Sequence, residues 1–206
     1  MKFFPLIFAF AFFSCTDVSP SVSAVKSVTV FDYGGEKCES RLAVFVEVKS
    51  DVHLAKKLTV KCEPEGYEWT VENPVKFQQD EKQSFAGYAN LVAPEGKKIP
   101  RGKYTAIYED LSSREIQADF FVDYPEEIYD AGNSAEKIQS ESSAKKTKGI
   151  AIYSAEKTLL YFGSEKKEWS DRAKIRDDYK NAFCYKECFY EEKTNVLCLM
   201  AEQKIL

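Results

Sequence analysis

The sequence predicts a mainly β protein: a two-sheet antiparallel sandwich over residues 25–125, followed by a small α+β unit over residues 149–206. Three observations predict it. Apolar and polar residues alternate with period two through the first part, turn residues interrupt that part at short intervals, and the alternation stops after residue 125.

The elements follow in order. SRLAVFVEVKS places Leu42, Val44, Val46 and Val48 on one side and Arg41, Glu47 and Lys49 on the other. REIQADFFVDY does the same with Ile116, Ala118, Phe120, Val122 and Tyr124 against Gln117, Asp119 and Asp123. Strands of this kind bury one face and wet the other. VKSVTVFDY, KKLTVKCE, YEWTV, SFAGYANLVA and KYTAIYED supply the rest, separated by YGGEK, EPEG, ENP, APEGKKIPRG and DLSS. About seven short strands in about 100 residues are what a two-sheet sandwich requires. Residues 126–148 are rich in Ser, Lys, Glu and Ala, bury too little apolar surface to offset chain entropy, and read as a linker. Beyond it, GIAIYSAEKTLLYFG reads as two strands. Trp169, Ala173, Ile175, Tyr179, Ala182 and Phe183 at spacings near three and four then predict an amphipathic helix, and ECFY and VLCLM a final hairpin, giving the order ββαββ.

The stretch IPRGKYTAIYEDLSSREIQADFFVDYP resembles the last two strands of immunoglobulin-like or fibronectin type III-like domains, where Pro and Gly lead into a strand tyrosine. The resemblance implies an immunoglobulin-like sandwich in which Tyr104 is a corner tyrosine whose hydroxyl returns to the backbone.

The N-terminus is a targeting element. Lys2 precedes the apolar run FFPLIFAFAFF at residues 3–13. As a helix this run reaches only ~17 Å, too short for a hydrocarbon core of about 30 Å, and Phe12 sits where a secretory cleavage site wants a small residue. Phe12-Phe13-Ser14-Cys15 resembles the lipobox of bacterial lipoproteins in a relaxed form similar to that of spirochaetes, with Phe12 in place of leucine. The resemblance implies cleavage of a signal peptide spanning residues 1–14 and acylation of Cys15, which would fasten the protein to the lipid bilayer of a bacterial cell envelope. Two or three acyl chains hold a protein stably where one does not. A secreted soluble protein and an uncleaved interfacial anchor are the alternatives. After Cys15, the small polar residues up to position 24 read as a tether.

Setting Cys15 aside leaves an odd number of cysteines, so at least one is unpaired within the chain. A hairpin around EEKTN with a three- or five-residue loop sets Cys188 opposite Cys198, the first candidate disulfide, whereas a register shifted by one does not. Cys38 with Cys62 is the second candidate, although Cys62 also reads as a small buried hydrophobe. Cys184, Cys188 and Cys198 fall one short of a structural zinc site, and the only histidine, His53, is far away in sequence, so no metal is expected.

Composition narrows the partners. The chain carries 29 Lys and Arg against 33 Asp and Glu, and losing Lys2 with the signal peptide makes it more negative. Nucleic acid is therefore no expected partner, and anionic headgroups repel the body weakly, which leaves attachment to the lipid on Cys15. No nucleophile elbow, zinc-protease, phosphate-loop or dinucleotide motif occurs, and no cofactor is implied. His53 near Asp51 reads as a solvated loop residue, and the acidic pairs Glu126-Glu127, Asp177-Asp178 and Glu191-Glu192 as solvated turns. The chain has 12 tyrosines, among them Tyr88, Tyr104, Tyr108, Tyr124 and Tyr129. They could line a recognition surface, though Tyr104 and Tyr108 share a strand face that would turn into the sandwich. The expectation is a non-catalytic binding or assembly module for an envelope protein or glycan. A purely structural lipoprotein and a hydrolase with a motif-free carboxylate site are the alternatives.

Overall fold

The computed structural model describes residues 21–79, 83–130 and 146–205. The first sheet contains β1 (Val22–Asp32), β2 (Glu39–Val48), β5 (Val75–Gln78), β6 (Ser84–Val92), β9 (Lys146–Tyr153), β10 (Leu159–Gly163), β11 (Cys184–Glu191) and β12 (Val196–Leu199). Its order is β10-β9-β11-β12-β1-β2-β6-β5, with the short β13 (Gln203–Lys204) also on β11. The second sheet is β4-β3-β7-β8, built from β3 (Ala55–Cys62), β4 (Tyr67–Glu72), β7 (Gly102–Asp110) and β8 (Glu115–Val122). Among the described residues, helix is confined to α1 (Glu126–Asp130), α2 (Ile175–Asp178) and 3₁₀ turns.

Alternation makes the two sheets stack. Phe31, Leu42, Val44 and Val46 of the first sheet meet Leu58, Val60, Tyr104, Tyr108 and Phe120 of the second in one core. Each such side chain contributes about 1.5–3 kcal/mol when fully buried. The opposite face of the second sheet is polar and charged: Lys57 lies between Glu72 and Glu109, and Lys61 between Glu68 and Thr105. Lys56, at 2.5 Å, and Lys57 both bond to Glu109, whose carboxyl those bonds hold down at about 2.

The C-terminal segment joins the first sheet directly. β12 pairs in parallel with β1 over Thr29↔Val196 to Asp32↔Leu199. Phe189, Val196, Cys198 and Met200 thereby enter the core that holds Leu42 and Tyr104. Lys186 also reaches both oxygens of Asp32, at 2.8 and 2.9 Å. A second core of Ile150, Ile152, Trp169, Ile175 and Tyr185 covers the far strands. Arg172 closes it by stacking 4.7 Å from the Tyr185 ring and bonding to Glu187 at 3.2 Å.

The amphipathic helix expected through Trp169 to Phe183 is replaced by two 3₁₀ turns, Lys167–Ser170 and Arg172–Lys174, and by the four-residue α2. Asp171 explains the break, because its carboxylate accepts the Ala173 N–H and restarts the chain as a cap. Trp169 and Ile175 still reach the second core, through turns instead of one helix face. The expected linker also ends early, since β9 begins at Lys146.

Strand direction gives the stack two ends. At the N-terminal end, Val22, Val48, Ser84 and Gln78 form one row across β1, β2, β6 and β5. At the loop end, Asp32 faces Glu39, Arg41 faces Val92, and Cys62 lies between Tyr67 and Tyr104.

Candidate functional site

The connections at the loop end are held by side chains from the core. The Tyr104 hydroxyl donates to the Pro100 carbonyl at 2.8 Å, four residues upstream. Tyr124 donates to the Ile99 carbonyl and Tyr33 to the Ile128 carbonyl. Burial raises the Tyr33 and Tyr104 hydroxyls above the ordinary phenol range, so both stay protonated donors. The Ile99 N–H donates to Ser40 Oγ at 2.9 Å, and Trp69 Nε1 donates to the Val92 carbonyl at 2.7 Å. These bonds fasten residues 93–101 at both ends. Within that loop Glu95 and Gly96 take left-handed backbone angles, φ 57° and 66°, which turn the chain sharply.

Two clefts border this fastened loop. One, of 560 Å³, is lined by Glu65, Tyr67, Ala93, Pro94, Lys97, Lys98 and Pro100. Its neighbour, of 320 Å³, includes Lys37, Glu39, Arg41, Asn90, Val92 and again Lys97. The floor of the first is apolar, from Ala93, the two prolines and the Tyr67 ring, while cations stand around both. Lys98 is tied to Glu126 at 2.8 Å, which lowers the Glu126 pKa. Lys97 is well exposed, and Glu95 lies 3.4 Å away. The dimensions and lining suit a ligand with an apolar body and carboxylate or hydroxyl groups.

Cys15 lies outside the described residues. Among the described residues no disulfide joins any cysteines. The pairing of Cys188 with Cys198 is corrected by the register: β11 and β12 join Glu191↔Val196 and Phe189↔Cys198, so Cys188 faces Leu199. The turn has four residues and ends at Asn195 with φ 53°, shifting every partner by one. Cys198 therefore enters the main core, and Cys188 turns to the other face beside Val30 and Leu199. Burial raises the Cys188 thiol to about 11 and the Cys198 thiol to about 12. The Cys38 to Cys62 link is corrected too. Cys62 sits among Tyr67 and Tyr104 on the second sheet, while Cys38 lies beside Tyr33 in the connection between β1 and β2.

His53 stands at the N-terminal end. The Asp51 carboxylate accepts the backbone N–H of His53 at 2.9 Å, capping a 3₁₀ turn. Of the tyrosines weighed between a recognition surface and the core, Tyr104, Tyr108 and Tyr124 are buried, Tyr88 is exposed, and the Tyr129 side chain is outside the described set. Tyr33 and Lys97 were missed: the first lies at the end of an apolar strand, and the second in a stretch legible only as a turn. Among the described residues no three His, Cys, Asp or Glu side chains gather as metal ligands, and no helix is long and apolar enough to cross a membrane. Comparison with protein-family models, curated proteins and solved structures returns no match.

Proposed function

We propose that the protein is a lipid-anchored lipoprotein of a bacterial cell envelope, a non-catalytic binding or assembly module that holds a protein or glycan. We read its two-sheet stack as immunoglobulin-like, extended by the C-terminal strands. The Tyr104 to Pro100 bond, a hydroxyl returning to the backbone four residues upstream, supports that reading.

One observation carries the functional proposal: the described chain enters the fold at Val22, and the two lysine-bordered clefts open at the opposite end. An anchor on Cys15 would hold the first end near the bilayer and present the second outward. The cations around the clefts favour a partner bearing carboxylates. A photo-crosslinking residue in place of Lys97, used in the native envelope and read by mass spectrometry, tests this. A single recurrent protein or glycan adduct supports the proposal, and adducts distributed by abundance contradict it.

A further inference from the structure

The outer face of the first sheet carries an aromatic patch at the N-terminal end. Phe77 on the edge strand β5 stacks on Phe85 at 5.2 Å and meets Phe45 edge-on at 5.3 Å. Phe85 is buried beneath, whereas Phe77 and its neighbour Val75 remain 43% and 54% exposed. Gly87 is part of the arrangement. A Cβ there would stand 2.5 Å from Phe45 Cδ1 and 2.2 Å from the Val44 carbonyl oxygen, so glycine lets the Phe45 ring lie across β6.

The position of the patch sets its partner. Phe77, Phe85, Glu47 and Ala24 occupy one row, beside the row in which β1 begins. With strands ~4.8 Å apart, Phe77 stands ~14 Å sideways from β1. The chain from Cys15 to Val22 spans at most about 24 Å. A lipid on Cys15 therefore keeps the bilayer within reach of these rings. Lys26, directly across from Phe45, lies at the rim with Lys49, whereas Lys76, between Val75 and Phe77 on β5, turns to the opposite face. Lys49 approaches Glu47 at 3.7 Å, and the Lys76 ammonium donates to the His53 carbonyl at 3.1 Å. Rings beside flexible cations suit the boundary between headgroups and acyl chains.

We propose that Phe45, Val75 and Phe77 form a bilayer-contacting face that seats the protein on the membrane beside its anchor. The face rests on the anchor reading for its proximity to lipid. It adds a second contact in which protein side chains enter the interface although the body as a whole is anionic.

The test uses the full chain in its native envelope with a lipid-dissolved carbene reagent. Mass spectrometry then reads both the N-terminal peptide and the labelled positions. Label on the peptides carrying Val75, Phe77 and Phe45 should exceed that on β4 and β8 by about tenfold, and fall by a similar factor in the Val75→Ser, Phe77→Ser double variant. An acylated Cys15 with even labelling, or with the patch protected by crosslinks to a second copy or another protein, overturns the face and leaves the anchor intact. Concentrated label with an unmodified Cys15 overturns the anchor and supports the face. Because the unaltered chain supplies the main comparison, a misfolded variant does not remove the test.

Discussion

The two ends of the stack use aromatic residues in opposite ways. At the loop end, Tyr33, Tyr104 and Tyr124 keep their rings in the core and send only hydroxyls outward to backbone carbonyls. At the N-terminal end, Phe45 and Phe77 lie on the outer face, without a polar handle. A ring that must fasten a loop needs a donor at its tip, and a ring that faces an apolar phase is better without one. The difference separates an end built to keep its shape from an end built to meet a surface.

The largest predicted effect concerns the core shared by both ends. Phe189→Ala should cost about 3–5 kcal/mol, as expected for an aromatic removed from a packed interior. Urea unfolding should remain a single transition, because Phe189 packs with residues of the first 125 positions. Two separate transitions would break the comparison, by showing that the C-terminal strands fold apart.

Next in size is the loop end itself. Tyr104→Phe deletes the donor to the Pro100 carbonyl and should cost about 1–3 kcal/mol, the usual penalty for a buried group left without its partner. Hydrogen exchange should accelerate within residues 93–101. Tyr88→Phe, at an exposed site, should change neither quantity beyond about 0.5 kcal/mol.

A smaller, pH-dependent contrast separates the outer charges. Glu109 has a folded pKa of about 2, caused first by its bond from Lys56 and then by that from Lys57. An unfolded glutamate titrates near about 4.3, so between these values the unfolded chain binds more protons and stability rises with pH. The contribution is complete above the unfolded value and is lost as pH falls through about 2. The gap in urea midpoint between the protein and Glu109→Gln should therefore narrow on acidification. Glu126→Gln, at the exposed loop-end pair with Lys98, should show a smaller gap with the same sign.

Thiol labelling gives the least effect in the native state. Cys188 and Cys198 should resist alkylation while folded, because burial disfavours their thiolates. Both should react completely in denaturant without reductant. Resistance after denaturation would restore a disulfide.

Much of the first sheet was legible because alternation is a local signal. The face of Leu42, Val44, Val46 and Val48 is buried as a set, and so are Phe120, Val122 and Tyr124. The parallel pairing of Thr29–Asp32 with Val196–Leu199 was not legible, since no local pattern links segments so distant in sequence. The cysteine hairpin failed by one residue because alternation fixes which residues share a face and leaves turn length open. Asn195 in a left-handed conformation decides that length. The Trp169 to Phe183 segment has helical spacing, yet Asp171 caps its own neighbour and divides the run. At the candidate site, Tyr104 could be read from the Pro and Gly before it. The clefts could not, because they arise where residues 37–41, 65–67 and 93–100 converge.

The most direct measurement places a benzophenone side chain at Phe77 in one sample and at Lys97 in another, both in intact envelopes under identical illumination. The account predicts lipid adducts from position 77 and protein or glycan adducts from position 97. Lipid adducts from position 97 with none from position 77 would contradict it, since the loop end would then be the one facing the membrane.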